Sequence, residues 1–217
     1  MKPFIKSYQY NVIKSDVIGL VNVHESGCSM DVLDSIKQMM RERIYRLFPN
    51  LEQNKKALFD PIFYLNDKKD ALVYLLRLKM YVIPFGKISE QLFSTLFDNE
   101  KSVKLPSIET IDLRDISYFK WQDPGVNKQF IITTIDNELV GIKGVFTRAN
   151  KGICEVCNRY EKIGVFTIET DTLTKQSHYM CQDNMKCNQN LTSLDSLHRI
   201  ITPHTDEKKT TMTLVNS

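Results

Sequence analysis

The stretches GICEVCN (residues 152–158) and YMCQDNMKC (residues 179–187) contain four of the five cysteines in this 217-residue chain. These four are Cys154, Cys157, Cys181 and Cys187. Two residues separate the first pair and five separate the second, with 23 residues between the pairs. Four thiolates can surround one tetrahedral zinc ion at about 2.3 Å per sulfur, which leaves no position for water or substrate. The spacing therefore predicts a closed, structural zinc site.

Two other interpretations of the four cysteines stay open at this point. Four free cysteines can also pack in a core as small apolar side chains. The C-x-x-C spacing of Cys154 and Cys157 is also that of thioredoxin-type redox pairs, which would make the chain a redox sensor. A redox role leaves the second cysteine pair unexplained, and no βαβ pattern precedes Cys154. His178 lies three residues before Cys181 and is an alternative ligand, although a position in a strand explains it better.

Composition indicates an ordinary globular protein in which clustered cysteines favour metal binding. The hydrophobic fraction is 42%, the charged fraction is 25% and the net charge is +3. No apolar run approaches the roughly 20 residues that span a bilayer, and the first residues lack the apolar stretch of a signal peptide. We expect a cytoplasmic location, where clustered cysteines bind metals more often than they form disulfides. Residues 100–217 hold 15 basic and 15 acidic side chains, so no basic stripe supports binding to a nucleic-acid backbone.

The pattern of apolar residues changes part-way along the chain. Spacings of three and four residues predict amphipathic helices in the first half, at residues 5–23, 29–48, 67–83 and 89–97. After residue 110 the chain favours β-branched and aromatic residues, and Asp136 and Asn137 separate two such runs at the distance of a hairpin turn. The predicted fold class is α+β, with a helical bundle at 1–99, a mixed α/β domain at 100–201 and a mobile polar tail at 202–217.

The second domain reads as a small zinc-stabilised unit. Between the cysteine pairs lies one short apolar run, Ile163 to Ile168, and after Cys187 leucines and isoleucines recur at helical spacing through residues 191–201. The order of a tight C-x-x-C turn (Cys154 to Cys157, the knuckle), a hairpin and a helix matches a treble-clef zinc finger. The sequence contains no phosphate-binding glycine loop, nucleophile elbow or HExxH motif, and this favours a protein that is not an enzyme.

The carboxy-terminal half resembles the FusB-type fusidic acid resistance proteins, which bind elongation factor G. The resemblance rests on GICEVCN, on YMCQDNMKCNQNL and on DISYFKWQD (residues 115–123), and it covers about Asp112 to Ile201. It implies an amino-terminal helical bundle and a treble-clef finger with one structural zinc held by the four cysteines. It also implies that the protein binds elongation factor G and promotes its release from ribosomes stalled by fusidic acid, without modifying the drug.

The resemblance further implies a partner-binding surface around the finger. The candidate residues are Ile153, Lys175, Gln176, Tyr179 and Ile200, of which Tyr179 matches a family aromatic and Lys175 lies one residue from the expected basic position. Ile153 and Ile200 stand where related members can carry phenylalanine, and Gln176 stands where they can carry lysine. Packing inside the domain is an alternative explanation for each of the apolar residues. We expect a monomer that meets the ribosome only through the factor and uses neither a membrane nor a small-molecule substrate. The alternative function is a zinc-dependent module that binds RNA or the ribosome directly.

Overall fold

A computed structural model of the chain describes residues 1–97, 100, 103, 105–168 and 175–205. The chain divides into two compact units, Met1–Ile83 and Pro84–Ser217. None of the helices in these described ranges is long and apolar enough to cross a membrane.

The amino-terminal unit is helical, as predicted. Its helices are α1 (Ser7–Glu25), α2 (Met30–Leu47), α3 (Gln53–Lys56) and α4 (Lys68–Lys79), with a 3-10 helix at Asp60–Tyr64. Asp67 caps the start of α4, because its carboxylate accepts a hydrogen bond from the backbone N–H of Asp70. Helix α4 ends earlier than predicted because the next residues leave the helix to pair with Ile5, which accepts from the N–H of Ile83 at 2.8 Å. The apolar faces enclose one core, which includes Ile13, Leu20, Ile44, Phe59 and Leu78.

The second unit begins earlier than the predicted boundary at 99/100. Helix α5 (Glu90–Leu96) was expected in the bundle, but it packs instead on the aromatic face of the sheet in the second unit. Phe93 and Phe97 both contact the ring of Phe130 edge-on, with centroids 5.5 Å and 5.1 Å away. Gly141 makes room for this helix, since a Cβ there would lie 2.5 Å from the ring of Phe97. The amphipathic pattern of α5 was correct, but the pattern does not indicate which core it joins.

The core of the second unit is an antiparallel five-stranded sheet in which neighbouring strands follow one another in sequence. The strands are β1 (Tyr118–Asp123), β2 (Lys128–Ile135), β3 (Glu138–Ile153), β4 (Tyr160–Ile168) and β5 (Gln176–Cys181). Asp136 and Asn137 form the predicted β2–β3 turn with φ of 52° and 66°. Positive φ at both central positions is the geometry of a type I′ hairpin, which asparagine and aspartate tolerate without glycine.

Strand β3 is longer than its apolar run indicates, and this extension carries the chain to the first cysteine pair. Its pairing with β4 shifts between Arg148 and Lys151, which marks a bulge, and then continues to Ile153. After β5 follow two short helices, α6 (Asn184–Asn190) and α7 (Asp195–Ile201). The helix expected through 191–201 is shorter than predicted, because residues 191–194 are not helical and α7 begins only at Asp195. A 3-10 turn covers Thr202–His204, and residues 206–217 of the predicted tail lie outside the described residues.

Candidate metal centre

The first cysteine pair lies in a tight turn between β3 and β4. The carbonyl oxygen of Cys154 accepts from the N–H of Asn158 at 2.9 Å, and the N–H of Cys154 donates to the carbonyl of Arg159 at 3.0 Å. Asn158 closes the turn with φ of 55°, a left-handed conformation that asparagine adopts more readily than most residues. The turn directs both thiols of this pair into the interior, where Cys154 and Cys157 are buried.

The second pair spans the junction of β5 and α6. Cys181 is the last residue of β5, and Cys187 lies one turn into α6. Asp183 caps this helix by accepting a hydrogen bond from the N–H of Lys186 at 3.0 Å. The two residues between strand and helix, together with one helical turn, account for the spacing of five. Both thiols of this pair are buried as well.

All four sulfur atoms lie within 4.8 Å of one another. The Sγ atoms of Cys154 and Cys187 are 3.8 Å apart, and those of Cys157 and Cys181 are 3.6 Å apart. Four sulfurs bound tetrahedrally at about 2.3 Å from a zinc ion are separated by about 3.8 Å, whereas disulfide-bonded sulfurs are about 2.05 Å apart. The cluster therefore fits a zinc ion in size and in donor chemistry. His178 lies outside it, because its Nδ1 pairs with Glu155 at 2.8 Å.

Close packing of the thiols separates their pKa values. Hydrogen bonds from Cys157, Cys181 and Cys187 lower the pKa of Cys154, and hydrogen bonding with Cys154 raises the pKa of Cys187. Four sulfurs at this distance resist ionising together unless a cation lies among them, and a bound zinc ion deprotonates the thiols that coordinate it. The electrostatics of the cluster therefore favour a divalent cation.

Side chains outside the two motifs support the cluster, and sequence reasoning missed them. The ammonium of Lys120 on β1 is buried and donates to the carbonyl of Cys181. Tyr118 is fully buried beside the cluster. Its burial is the larger cause that raises its pKa well above the usual range, and the neighbouring thiol of Cys187 is the smaller cause. The N–H of Cys181 donates to Cys154 Sγ at 3.3 Å. No local pattern indicates these contacts, since Lys120 is 61 positions from Cys181 in sequence.

Asn188 joins α6 to β1 through its fully buried amide group. Its Oδ1 accepts from the N–H groups of Ser117 and Tyr118 at 2.7 Å and 3.2 Å. Its Nδ2 donates to the carbonyls of Tyr118 and Asn184, each at 3.0 Å. These contacts fix the helix that carries Cys187 against the first strand of the sheet.

The predicted partner-binding residues differ in exposure. Ile153 and Tyr179 are 59% and 51% exposed, and Lys175 and Gln176 are exposed as well. Ile200 is only 6% exposed, and its packing in the domain leaves little surface for a partner. Gln176 also pairs with His204, with Oε1 and Nε2 3.1 Å apart.

Glu155 anchors the knuckle to β5 next to these exposed side chains. Its N–H donates to the carbonyl of Tyr179 at 2.8 Å, and its Oε1 accepts from the N–H of Tyr179 at 2.9 Å. A further exposed aromatic, Tyr160, is paired directly with Ile153 across β3 and β4 and is 66% exposed. The sequence signal for Tyr160 was its position three residues after Cys157, which places it at the start of the strand that leaves the knuckle.

Two sequence models of one protein family match this chain. Residues 4–86 match "Elongation factor G-binding protein, N-terminal", and residues 89–216 match "FBP C-terminal treble-clef zinc-finger". The chain belongs to this family. Together with the four clustered sulfurs, the match gives the carboxy-terminal unit of this family member one structural zinc ion in a treble-clef finger.

A solved structure agrees with the family assignment. The chain is similar to the structure of the fusidic acid resistance protein FusC, with a TM-score of 0.77 and 27% sequence identity over 92% of this chain and 96% of that one. No curated protein sequence matches this chain significantly. The expected resemblance to FusB-type proteins is confirmed, and so are the predicted fold class and zinc cofactor.

Proposed function

We propose that this protein binds elongation factor G through its zinc finger and promotes release of the factor from ribosomes stalled by fusidic acid. It acts by binding and leaves the drug unmodified. Its family is described as binding elongation factor G, and the similar protein FusC is a fusidic acid resistance protein. The observation that carries the proposal is the exposure of large apolar side chains beside the buried cysteine cluster.

The proposed contact surface consists of Ile153, Tyr160, Lys175, Gln176 and Tyr179. Exposed aromatic residues near a rigid element are typical anchors of protein interfaces, where tyrosine is enriched among the energetically dominant residues. Lysine contributes more to the rate of association than to affinity when it lies at the rim. The buried Ile200 is left out of this surface.

Zinc contributes to binding by fixing the surface before the partner arrives. Four sulfur ligands would hold together the knuckle after Ile153 and the end of β5 after Tyr179. A surface that is ordered in advance loses less conformational entropy when it binds. Removal of the metal is therefore expected to weaken binding even though no metal ligand contacts the partner.

The protein can release the factor only through a difference in affinity. A ligand shifts a conformational equilibrium by its preference for one state over the other. We infer that the protein binds more tightly to a conformation of the factor that the drug-stalled ribosome holds weakly. Release then follows from this preference and requires no chemical step.

Sedimentation of stalled ribosomes tests the proposal. Ribosomes are loaded with elongation factor G in the presence of fusidic acid, and the factor remaining in the pellet is measured as the full-length protein is added. We expect the wild-type protein to move the factor to the supernatant. Tyr179→Ala should need at least tenfold more protein, the size of effect that a central interface aromatic produces.

The matched control is Tyr64→Ala in the amino-terminal unit, whose tyrosine is 83% exposed. It should release the factor as the wild type does. Equal activity of both variants would remove Tyr179 from the contact surface. No release by the wild-type protein would refute the proposal. Binding to ribosomes that lack the factor, with a steep dependence on salt, would favour the RNA-binding alternative.

A further inference from the structure

Lys120 is a cation in an unusual position. It lies in the middle of β1, its side chain is buried, and its ammonium lies 5.2 Å from the ring centroid of Phe146. None of the carboxylates in the described part of the chain forms a salt bridge with it. Burying an ammonium without a compensating charge is strongly unfavourable. The carboxylate of Asp183 stabilises the ammonium through space without pairing with it, and the sulfurs of the cysteine cluster do so more strongly.

The cysteine cluster supplies such a charge when it holds zinc. Four thiolates carry four negative charges and Zn²⁺ carries two positive ones, so the centre has a net charge of about −2. Lys120 donates to the carbonyl of Cys181, and the N–H of Cys181 donates in turn to the sulfur of Cys154. The ammonium thus contacts the backbone of one predicted ligand directly, in a buried environment where charges interact strongly.

Other cations near the finger are placed differently. Lys186, one residue before Cys187, has a side chain that is 55% exposed and pairs with Glu161 at 2.6 Å. Solvent and this carboxylate screen its charge from the cluster. Lys120 is buried and forms no salt bridge with a carboxylate of the described residues. Both side chains are lysines close to the same centre, which makes Lys186 a matched control.

We propose that Lys120 is the buried counter-ion of the zinc–thiolate centre and that its charge retains the metal in the finger. It acts through the ligands and is therefore a positioning residue. Its charge offsets part of the negative charge on the sulfurs, which stabilises the loaded site and makes the thiolates weaker nucleophiles. This assigns β1 a role in metal retention, although β1 contributes no ligand.

The test compares zinc retention in full-length variants. The zinc dissociation constant is measured by competition with a chromophoric chelator, and zinc release is timed after addition of N-ethylmaleimide, which alkylates thiolates. Lys120→Met keeps the length and apolar stem of the side chain but removes the charge. We expect it to raise the dissociation constant by at least about tenfold, as loss of an outer-shell partner does, and to speed zinc release. Lys186→Met should change both values less than threefold.

Two further variants separate charge from packing and hydrogen bonding. Lys120→Gln keeps an N–H donor without the charge, and Lys120→Arg keeps the charge. We expect the arginine variant to retain zinc better than the glutamine and methionine variants. If all three variants lost zinc equally, or if none of the three folded, the shape of the lysine side chain and not its charge would be what matters. Either result would overturn the proposal. Zinc retention by Lys120→Met equal to that of Lys186→Met would overturn it as well.

Discussion

The two units of this protein are stabilised in different ways. The amino-terminal unit, Met1–Ile83, holds its helices together with one continuous apolar core. The carboxy-terminal unit, Pro84–Ser217, combines an aromatic core on one face of its sheet with four buried cysteines where β3, β4, β5 and α6 meet.

This difference shows where a small β-rich unit needs a metal. The aromatic core covers β1, β2 and the first part of β3, where Phe119, Trp121, Phe130, Ile132 and Leu139 pack with α5. The knuckle and the end of β5 lie outside that cluster and are joined by the sulfurs and by hydrogen bonds. Removing the metal should therefore affect the carboxy-terminal unit and leave the helical unit intact.

Removal of zinc is the change with the largest expected effect. Structural zinc in finger peptides contributes about 10–16 kcal/mol of apparent binding free energy, so chelation or Cys154→Ser should unfold the finger. Trp121, the single tryptophan of the chain, lies in the carboxy-terminal unit and reports on it. Its fluorescence transition in denaturant should move to lower concentration, while the helical signal of the amino-terminal unit keeps its own transition.

Cys28→Ser is the matched control for this experiment. Cys28 is the remaining cysteine of the chain, is exposed and lies outside the cluster. Its substitution should leave the zinc content and both transitions unchanged. If Cys154→Ser also retained full zinc content and the wild-type transition, the cysteine cluster would not be the metal site.

A substitution in the core of one unit should destabilise that unit alone, and by less than removal of zinc does. Phe130 is fully buried and stacks on Trp121 with ring centroids 5.1 Å apart. Phe130→Ala should cost about 3–5 kcal/mol in the carboxy-terminal unit, and Leu20→Ala should cost about 2–5 kcal/mol in the helical unit. Denaturation followed by Trp121 fluorescence and by far-ultraviolet circular dichroism measures both. Loss of both transitions in either variant would contradict independent stability of the units.

A substitution of Asn188 tests how far buried hydrogen bonds stabilise the carboxy-terminal unit. Asn188→Ala leaves buried backbone groups of β1 without partners, and each such group costs about 1–3 kcal/mol. We expect a loss of about 3 kcal/mol in the Trp121 transition together with weaker zinc binding. Asn190→Ala on the same helix removes only a 3.5 Å contact with Glu161. An equal effect of the two substitutions would contradict the role assigned to Asn188.

The smallest predicted effect concerns Glu100 and depends on pH. Burial raises the pKa of Glu100, but hydrogen bonds from Lys128 and Lys143 at 2.7 Å and 2.8 Å lower it more, so the net shift is downward from 4.5. A lowered pKa contributes stability above the unfolded value, and this contribution is lost as pH falls through the folded value. Glu100→Gln should therefore destabilise the carboxy-terminal unit by about 1 kcal/mol at pH 7.

Denaturation at several pH values checks this prediction. The difference in free energy of unfolding between wild type and Glu100→Gln should be constant near neutral pH and shrink below about pH 4.5. A difference that does not change between pH 7 and pH 3 would show that the carboxylate charge is not its source.

The sequence was informative wherever the signal was local. The helices α1, α2, α4 and α5, the turn at Asp136 and Asn137, and the grouping of four cysteines all follow from short-range spacing, whereas the short α3 was not predicted. The long-range contacts were not predictable in this way. Which core α5 joins depends on the fit of Phe97 over Gly141, and the contact of Lys120 with Cys181 depends on the register of the whole sheet. Periodicity reports which residues are buried but not what they are buried against.

The surface residues illustrate the same limit. Ile153 and Ile200 are both isoleucines near the finger, and nothing in their local sequence separates them. The structure exposes Ile153 beside Tyr160 and buries Ile200 in the domain. Strand pairing, which places Tyr160 directly opposite Ile153, extended the candidate surface beyond what the sequence suggested.

Calorimetric titration of elongation factor G with the full-length protein tests the central claim most directly. The zinc-loaded protein is compared with protein from which zinc has been removed by a chelator, and with the same sample after zinc is restored. We predict saturable one-to-one binding of the loaded protein, loss of at least most of the heat after zinc removal, and recovery when zinc is returned. Equal binding with and without zinc, or no binding by the loaded protein, would contradict a zinc-dependent contact with the factor.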